Sequence, residues 1–116
     1  SWDVSSWPNM PSMFYNASSF DQDISAWSPS TTNANYFRFL SYSGMSTENY
    51  SRWLICLANW AYDNNITVTH YIYNPSLTYN NTTHSGIGSG QYTDAVSARA
   101  YLVTTLGWTV SDGGVV

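Results

Sequence analysis

SWDVSSWPNMPSMFYNASSFDQDISAW, residues 1–27, is the stretch from which the fold is predicted, because it contains the first unit of a repeat. Trp2 recurs as Trp27 and Phe14 recurs as Phe39, so both pairs are separated by 25 residues. A period of about 20 to 50 residues is typical of solenoids, whose units bury their apolar faces only against neighbouring units. The sequence therefore predicts part of a solenoid.

The second copy of this repeat is degenerate, which predicts that the array ends early in the chain. Both methionines of the first copy are replaced, by Asn35 and Arg38. Terminal repeats of solenoids are usually atypical. We therefore expect terminal solenoid repeats over residues 1–44 and a carboxy-terminal capping region over residues 45–116, together forming one compact unit.

The capping region carries two helical patterns. The first helix is expected over residues 45–62, with Ser46 as its N-cap and an end at Asp63-Asn64-Asn65. Its apolar stripe consists of Tyr50, Trp53, Leu54, Leu57, Ala58 and Ala61. The second helix is expected over residues 93–106 and stops at Gly107. Its N-cap is Thr93 or Asp94, and its buried positions are Ala95, Ala98, Leu102 and Leu106.

Short strands complete a predicted mixed α/β fold. In the capping region they are expected at 66–73, which Asn74-Pro75 ends, at 77–79 and at 108–110, before a turn at 112–114. Residues 80–91 are rich in Asn, Thr, Ser and Gly and predict a mobile loop. In the repeat region we expect a short helical turn over residues 10–17 and a strand over residues 24–27.

The charge balance excludes several classes of partner. The chain has three cations, Arg38, Arg52 and Arg99, and a net charge of −4. Nucleic-acid binding needs several cations to neutralise phosphates, so no nucleic-acid partner is expected. No apolar run approaches the roughly 18 to 20 residues that span a bilayer, so no membrane insertion is expected.

Five Asn-x-Ser/Thr sequons predict an extracellular setting. Together with a surface that has no lysine and is polar but largely uncharged, they favour a secreted or surface-displayed glycoprotein. Only 9% of the residues are charged, compared with a usual share of about 25%. The candidate glycosylation sites are Asn16, Asn49, Asn65, Asn80 and Asn81.

Catalytic, metal and cofactor patterns are weak. His70 and His84 belong to neither a nucleophile-elbow motif nor a metal-ligand motif. The carboxylates of Asp21-Gln22-Asp23 and Asp112 are too few for an EF-type calcium loop. The glycines of residues 86–90 lack the spacing of a dinucleotide loop and predict a flexible linker. We therefore expect a non-enzyme without catalytic, metal or cofactor sites, and a buried, inert thiol at Cys56.

Aromatic side chains are the stronger functional signal. Exposed Tyr and Trp offer rigid contact area at low entropic cost, and they stack on sugars or on partner proteins. Tyr71 and Tyr73 alternate with the apolar positions of their strand, so they lie on its opposite face. The predicted partner-binding residues are Trp7, Tyr15, Tyr71 and Tyr73.

At residues 10–27, MPSMFYNASSFDQDISAW resembles the repeat of the BspA-type leucine-rich-repeat surface proteins of bacteria and phages. GMSTENY at 44–50 and GWTVSDGG at 107–114 look like the carboxy-terminal cap of that family. One departure is that Trp27 is followed by Ser-Pro rather than by Asp-Val, which suggests that the array ends there. The resemblance implies a leucine-rich-repeat-like solenoid end, surface display, and a role in adhesion or surface assembly without known catalytic residues.

Two functions remain open at this point. The first is a non-catalytic extracellular module that recognises a protein or glycan through its solenoid surface. The second is a structural subunit that assembles into a filament or decorates a virion surface. Because the amino-terminal end begins inside a repeat without a cap, upstream repeats or another copy of the chain are expected to cover it.

Overall fold

One helix, α1 (Thr47–Asp63), lies at the centre of the structure. A computed structural model describes residues 16–23, 40–67 and 69–116. Several features predicted from the sequence lie outside the described residues. They are the repeated tryptophan and phenylalanine positions, the helical turn at 10–17 except for its last two residues, and the strand at 24–27. The solenoid and the boundary between residues 44 and 45 therefore remain predictions.

The first predicted helix is confirmed, and its burial extends beyond the predicted stripe. Ser46 is the N-cap, and its side chain accepts a hydrogen bond of 3.2 Å from the Asn49 N–H group. Every residue from Tyr50 to Ala61 except Arg52 is buried, including Ser51 and Asn59. A helix that is buried on nearly all sides is packed within the core rather than lying on its surface.

The second predicted helix is also confirmed, with one irregularity. The helix α2 (Ala95–Ala100) continues directly into a π-helical turn, Tyr101–Thr105. Asp94 is its N-cap and accepts a hydrogen bond of 2.9 Å from the Ser97 N–H group. Gly107 follows with a φ of +74°, a conformation that glycine adopts without strain and that ends the helix.

Two short strands, β1 (Tyr71–Asn74) and β2 (Thr109–Asp112), form a parallel pair. The helical segment between them provides the crossover that a parallel pair requires. The strand predicted over 66–73 is wrong in its bounds. Asn65 adopts a left-handed φ of +51°, and the Ile66 N–H group donates to the Ala61 oxygen at 3.0 Å, so this segment first closes the end of α1.

The other strand predictions also need correction, whereas the mobility of residues 80–91 stays a prediction. The strand predicted at 77–79 is only an isolated bridge between Tyr79 and Val115, because a single pair of residues meets there. The strand predicted at 108–110 is shifted to β2, so Asp112 belongs to the strand instead of opening a turn. Within the flexible linker predicted at 86–90, the Ser89 N–H group donates a hydrogen bond to the Asp63 carboxylate of α1, as described below.

Residues 16–23 pack on the amino-terminal end of α1. Asp21 accepts hydrogen bonds from the Ser46 N–H group at 2.8 Å and from the Asn49 amide at 2.9 Å. The bond from Ser46 is the main reason why the pKa of Asp21 is lowered. Gly44 permits this close packing, because a Cβ there would collide with the Ser18 carbonyl oxygen. The described part of the repeat region therefore contacts the helix of the capping region directly.

The carboxy-terminal strand is held by a buried charge cluster. Arg99 donates two hydrogen bonds to the Asp112 carboxylate, at 3.0 and 3.2 Å, and the Tyr50 hydroxyl donates a third at 2.8 Å. The Asp112 side chain is 1% exposed. Burial lowers the pKa of Arg99, but its hydrogen bond to Asp112 and the charge of Asp112 outweigh that effect and raise it overall. The cluster joins α1, α2 and β2.

The Cys56 thiol is buried at 3% exposure, as expected. Burial, and secondarily the negative charge of Asp23, raise its pKa to about 12. Since an unfolded thiol has a pKa of about 8.5, the unfolded chain loses this proton first as pH rises, and folding stability falls between about pH 8.5 and 12.

We expect no reaction of the native chain with a disulfide reagent at pH 8, but immediate reaction of the denatured chain. Rapid stoichiometric labelling of the native chain would contradict this placement.

None of the helices in the described ranges is both long and apolar enough to cross a membrane.

Candidate functional site

The parallel strand pair has one polar face with two tyrosines. In the register of the pair, Tyr71 lies beside Thr109 and Tyr73 beside Ser111. The Tyr71 side chain is 49% exposed, and Tyr73 is half-buried. Their rings meet edge to face, with centroids 6.5 Å apart. We call these four residues the strand face.

The opposite side of the same strands fixes the strand face in place. Ile72 and Asn74 are fully buried, and Val110 packs against the core. The Asp112 carboxylate is held by the charge cluster at the end of β2. Since alternate residues of a strand point to opposite sides, this anchoring makes the two tyrosines a supported surface.

The structure therefore places two of the four predicted partner-binding residues side by side. The other two, Trp7 and Tyr15, lie outside the described residues. The histidines lie elsewhere. The half-buried His70 packs between two tryptophans, with its ring centroid 4.4 Å from Trp108 and 6.4 Å from Trp60. His84 lies in the loop that follows β1 and lines the groove described next.

A groove of about 420 Å³ separates the carboxy-terminal half of α1 from the loop at residues 84–88. The helix and its C-cap contribute Cys56, Asn59, Trp60, Asp63 and Asn64, and the loop contributes the opposite wall. We call this the loop groove. It is open on one side and has both polar and apolar lining groups, and no local sequence pattern indicates it.

Two side chains of α1 hold the loop in position. The Asn59 amide donates to the Tyr92 carbonyl at 2.9 Å and accepts from the Tyr92 N–H group at 2.8 Å. One turn later, an Asp63 carboxylate oxygen accepts from the Ser89 N–H group at 2.9 Å. Asn59 is fully buried, so both polar ends of its side chain are used inside the protein.

Replacing Asn59 with alanine would test this loop attachment. The change removes both hydrogen bonds and leaves the Tyr92 backbone groups without their partner. We expect a loss of about 2–3 kcal/mol in unfolding free energy, measured in urea, and faster amide exchange at Tyr92. The matched variant Asn64→Ala removes one hydrogen bond, to the Trp60 carbonyl, at an exposed helix end. It should cost about 1 kcal/mol or less. Equal losses for the two variants would argue against the attachment.

Three further tyrosines form a cluster beside the loop groove. Tyr92 stacks on Tyr101 with ring centroids 4.7 Å apart, and Tyr62 lies edge-on to both, at 6.1 and 6.2 Å. Tyr62 is 43% exposed, and the other two are half-buried. Partial burial, followed by the neighbouring phenols, raises the pKa of Tyr92. We call these residues the tyrosine cluster.

Sequence reasoning missed this cluster because its members share no local period. Tyr62 ends a helix, Tyr92 belongs to a loop, and Tyr101 lies at the start of the π-helical turn. Only the folding of the loop onto Asn59 brings them together. The one available signal was the presence of several tyrosines beside predicted helix ends.

The candidate calcium ligands have protein partners in the structure. Asp21 is bonded to Ser46 and Asn49, and Asp23 forms an ion pair with Arg52 at 3.0 Å. Asp112 belongs to the buried charge cluster. In the part of the chain that the structure describes, no three His, Cys, Asp or Glu side chains are grouped to hold a metal ion.

The five sequons occupy different environments. The Asn49 amide in α1 is bonded to Asp21, and the Asn80 carboxamide accepts hydrogen bonds from Ser51 and Thr82. The other three asparagines, Asn16, Asn65 and Asn81, are exposed. Glycosylation of any of them remains a prediction.

Comparison with known proteins identifies a family but no activity. Residues 1–82 match the model of a family described as "Mycoplasma protein of unknown function, DUF285". The match includes α1 and β1 and ends before α2. No curated protein and no solved structure matches the chain. Because the matched range covers well over half of the 116 residues, the chain belongs to the DUF285 family.

Proposed function

We propose that this chain is a non-catalytic recognition module that binds a partner outside the cell through its strand face. The observation that carries the proposal is the pair Tyr71 and Tyr73, which lie edge to face on a side of the sheet whose opposite side is anchored in the core. Tyrosine is enriched among residues that dominate binding energy, because it combines apolar area with a hydrogen-bonding hydroxyl.

The chemistry of the strand face favours binding over catalysis. Its four side chains are two phenols and two aliphatic hydroxyls, from Thr109 and Ser111. Such groups recognise partners by packing and hydrogen bonding. The neighbouring charges of Arg99 and Asp112 neutralise each other inside the protein and do not act at this surface.

Relationship to BspA-type leucine-rich-repeat surface proteins is part of the proposal. It is supported by the repeat motif at residues 10–27 and by the cap-like sequences at 44–50 and 107–114. The parallel pairing of β1 with β2 is compatible with the stacking of strands in a solenoid, where each unit adds one parallel strand. In such an architecture, the strand face would continue the sheet surface of the repeats.

Extracellular or virion-surface display is supported by composition. A chain with five sequons, no lysine and few charges relies on neutral polar groups for solubility. Self-assembly into a filament is the other function that the sequence leaves open.

The experiment compares binding with assembly in the same preparation. Wild-type chain and the variant Tyr71→Ser/Tyr73→Ser are passed over immobilised mucin, fibronectin and albumin, and both are examined by sedimentation velocity. We expect the wild type to be monomeric and to bind mucin or fibronectin but not albumin, with binding at least about tenfold weaker in the variant. Val96→Ser, an exposed change on α2, should leave binding unchanged.

Two results would overturn the proposal. The first is polymer formation by the wild type without binding to mucin or fibronectin, which would favour a structural subunit. The second is binding that the Tyr71→Ser/Tyr73→Ser variant retains at full strength, which would place the interaction on another surface.

A further inference from the structure

We propose that the loop groove and the tyrosine cluster together form a second binding site, specific for a neutral saccharide of one or two sugar rings. The proposal goes beyond the strand face, because the two surfaces share no residue. It rests on the size of the groove, on its polar groups and charge, and on the aromatic surface beside it.

The loop groove has the dimensions of a small-ligand site. Its volume of about 420 Å³ lies in the range of about 300 to 1,000 Å³ that is usual for such pockets. It lies between a buried helix and a loop that is attached to that helix at two points, through Asn59 and Asp63. A site held in this way before binding loses little entropy when a ligand enters.

The polar groups of the loop groove suit sugar hydroxyls. The Asp63 carboxylate has about four acceptor positions, and the bond from Ser89 occupies one of them. The Ser85 hydroxyl can donate and accept, and Ser85 is exposed on the loop wall. Hydroxyl groups of a saccharide, which also donate and accept, match this mixture.

The charge of the loop groove favours a neutral ligand over an anion. No lysine or arginine is among the described residues that line it, and its ionisable side chains are the Asp63 carboxylate, the His84 imidazole and the buried Cys56 thiol. A phosphate or a carboxylate ligand would therefore meet a negative group without an arginine to pair with it. A neutral sugar has no such cost.

The tyrosine cluster provides the stacking surface that a sugar ring requires. Pyranose rings present faces of C–H groups, which pack on the negative faces of aromatic rings. Tyr92 connects the two parts of the site, since its backbone is bonded to Asn59 in the groove wall while its ring stacks on Tyr101. Tyr62, the most exposed of the three rings, immediately precedes Asp63 on α1.

The test titrates the full chain with cellobiose, chitobiose and lactose, and follows binding by saturation-transfer NMR of the sugar and by tryptophan fluorescence. Trp60 in the groove wall is the expected fluorescent reporter. We expect at least one disaccharide to bind in the millimolar range or more tightly, that is, with a free energy of about −4 kcal/mol or stronger. Binding should be at least about fivefold weaker in Tyr62→Ala and in Tyr92→Ala.

The controls separate this site from the strand face and from misfolding. Tyr71→Ala should bind the sugar as the wild type does, because Tyr71 lies on the strand face. The inference would be overturned if none of the three sugars showed saturable binding up to about 20 mM, because that concentration exceeds the millimolar dissociation constant expected for the weakest binding. Undiminished binding by a folded Tyr62→Ala chain would also overturn it. Neither result bears on the proposed partner of the strand face.

Discussion

Arg99→Met is expected to lower the free energy of unfolding by about 3–5 kcal/mol, a large share of the 5–15 kcal/mol that stabilises a typical domain. Arg99 is the ion-pair partner of Asp112, whose side chain is 1% exposed. Methionine retains much of the side-chain volume but leaves the Asp112 carboxylate buried without its ion-pair partner. Among the described residues, the Tyr50 hydroxyl and the Gly114 N–H group remain as its hydrogen-bond donors. Urea unfolding of wild type and variant measures the difference.

The chain offers a matched control at Arg52, which forms the other two described ion pairs. Arg52 pairs with Asp23 at 3.0 Å and with Glu48 at 3.6 Å, but these carboxylate side chains are 37% and 62% exposed. Exposed ion pairs contribute about 0–1 kcal/mol to stability. The loss of these pairs in Arg52→Met should therefore lower the free energy of unfolding by no more than about 1 kcal/mol. Comparable losses for the two variants would show that the Asp112 cluster does not hold the carboxy-terminal strand as described.

Trp53→Ala is expected to cost about 3–5 kcal/mol of unfolding free energy. Trp53 is 1% exposed, and its ring stacks on Tyr50 with centroids 6.0 Å apart. Alanine favours the helix, so the loss comes from removed packing and the cavity that remains, not from helix propensity. Thermal or urea unfolding monitored by circular dichroism provides the measurement.

Val96→Ala is the control for this second prediction. It also shortens a helical side chain to alanine, but Val96 is 42% exposed on α2. Exposed substitutions usually stay within about 0.5 kcal/mol. If Trp53→Ala were as mild as Val96→Ala, α1 would not be the centre of the core.

The two helices were predictable because their signals are local. The residues that begin and end the helices lie within a few positions of them. Ser46 and Asp94 are the N-caps, and Asn64-Asn65 and Gly107 follow the helix ends. The burial of nearly every residue from Tyr50 to Ala61 was not predictable in the same way. Ser51 and Asn59 look like surface residues until their distant hydrogen-bond partners, Asn80 and Tyr92, are known.

The strand bounds and the sites depend on such distant partners. β1 is four residues long because that is the length over which β2 pairs with it, although the alternating pattern extends further. Within β1, alternation correctly placed Tyr71 and Tyr73 opposite the buried Ile72. The loop groove and the tyrosine cluster arise from the attachment of the loop to Asn59, which no local pattern indicates.

The two proposed sites make different demands on the same fold. The strand face needs a firmly anchored sheet, which the Asp112 cluster provides, and the loop groove needs an attached loop, which Asn59 and Asp63 provide. Variants at Arg99 and Asn59 should therefore weaken different sites before they unfold the protein. This separation allows each proposal to fail without the other.

NMR chemical-shift mapping of the chain titrated with mucin or with fibronectin would test the proposed recognition by the strand face most directly. We predict that the strongest amide perturbations will lie in β1 and β2, at Tyr71, Tyr73, Thr109 and Ser111. They should disappear in the Tyr71→Ser/Tyr73→Ser variant. Perturbations confined to other surfaces, or none at concentrations that saturate binding, would contradict the proposal.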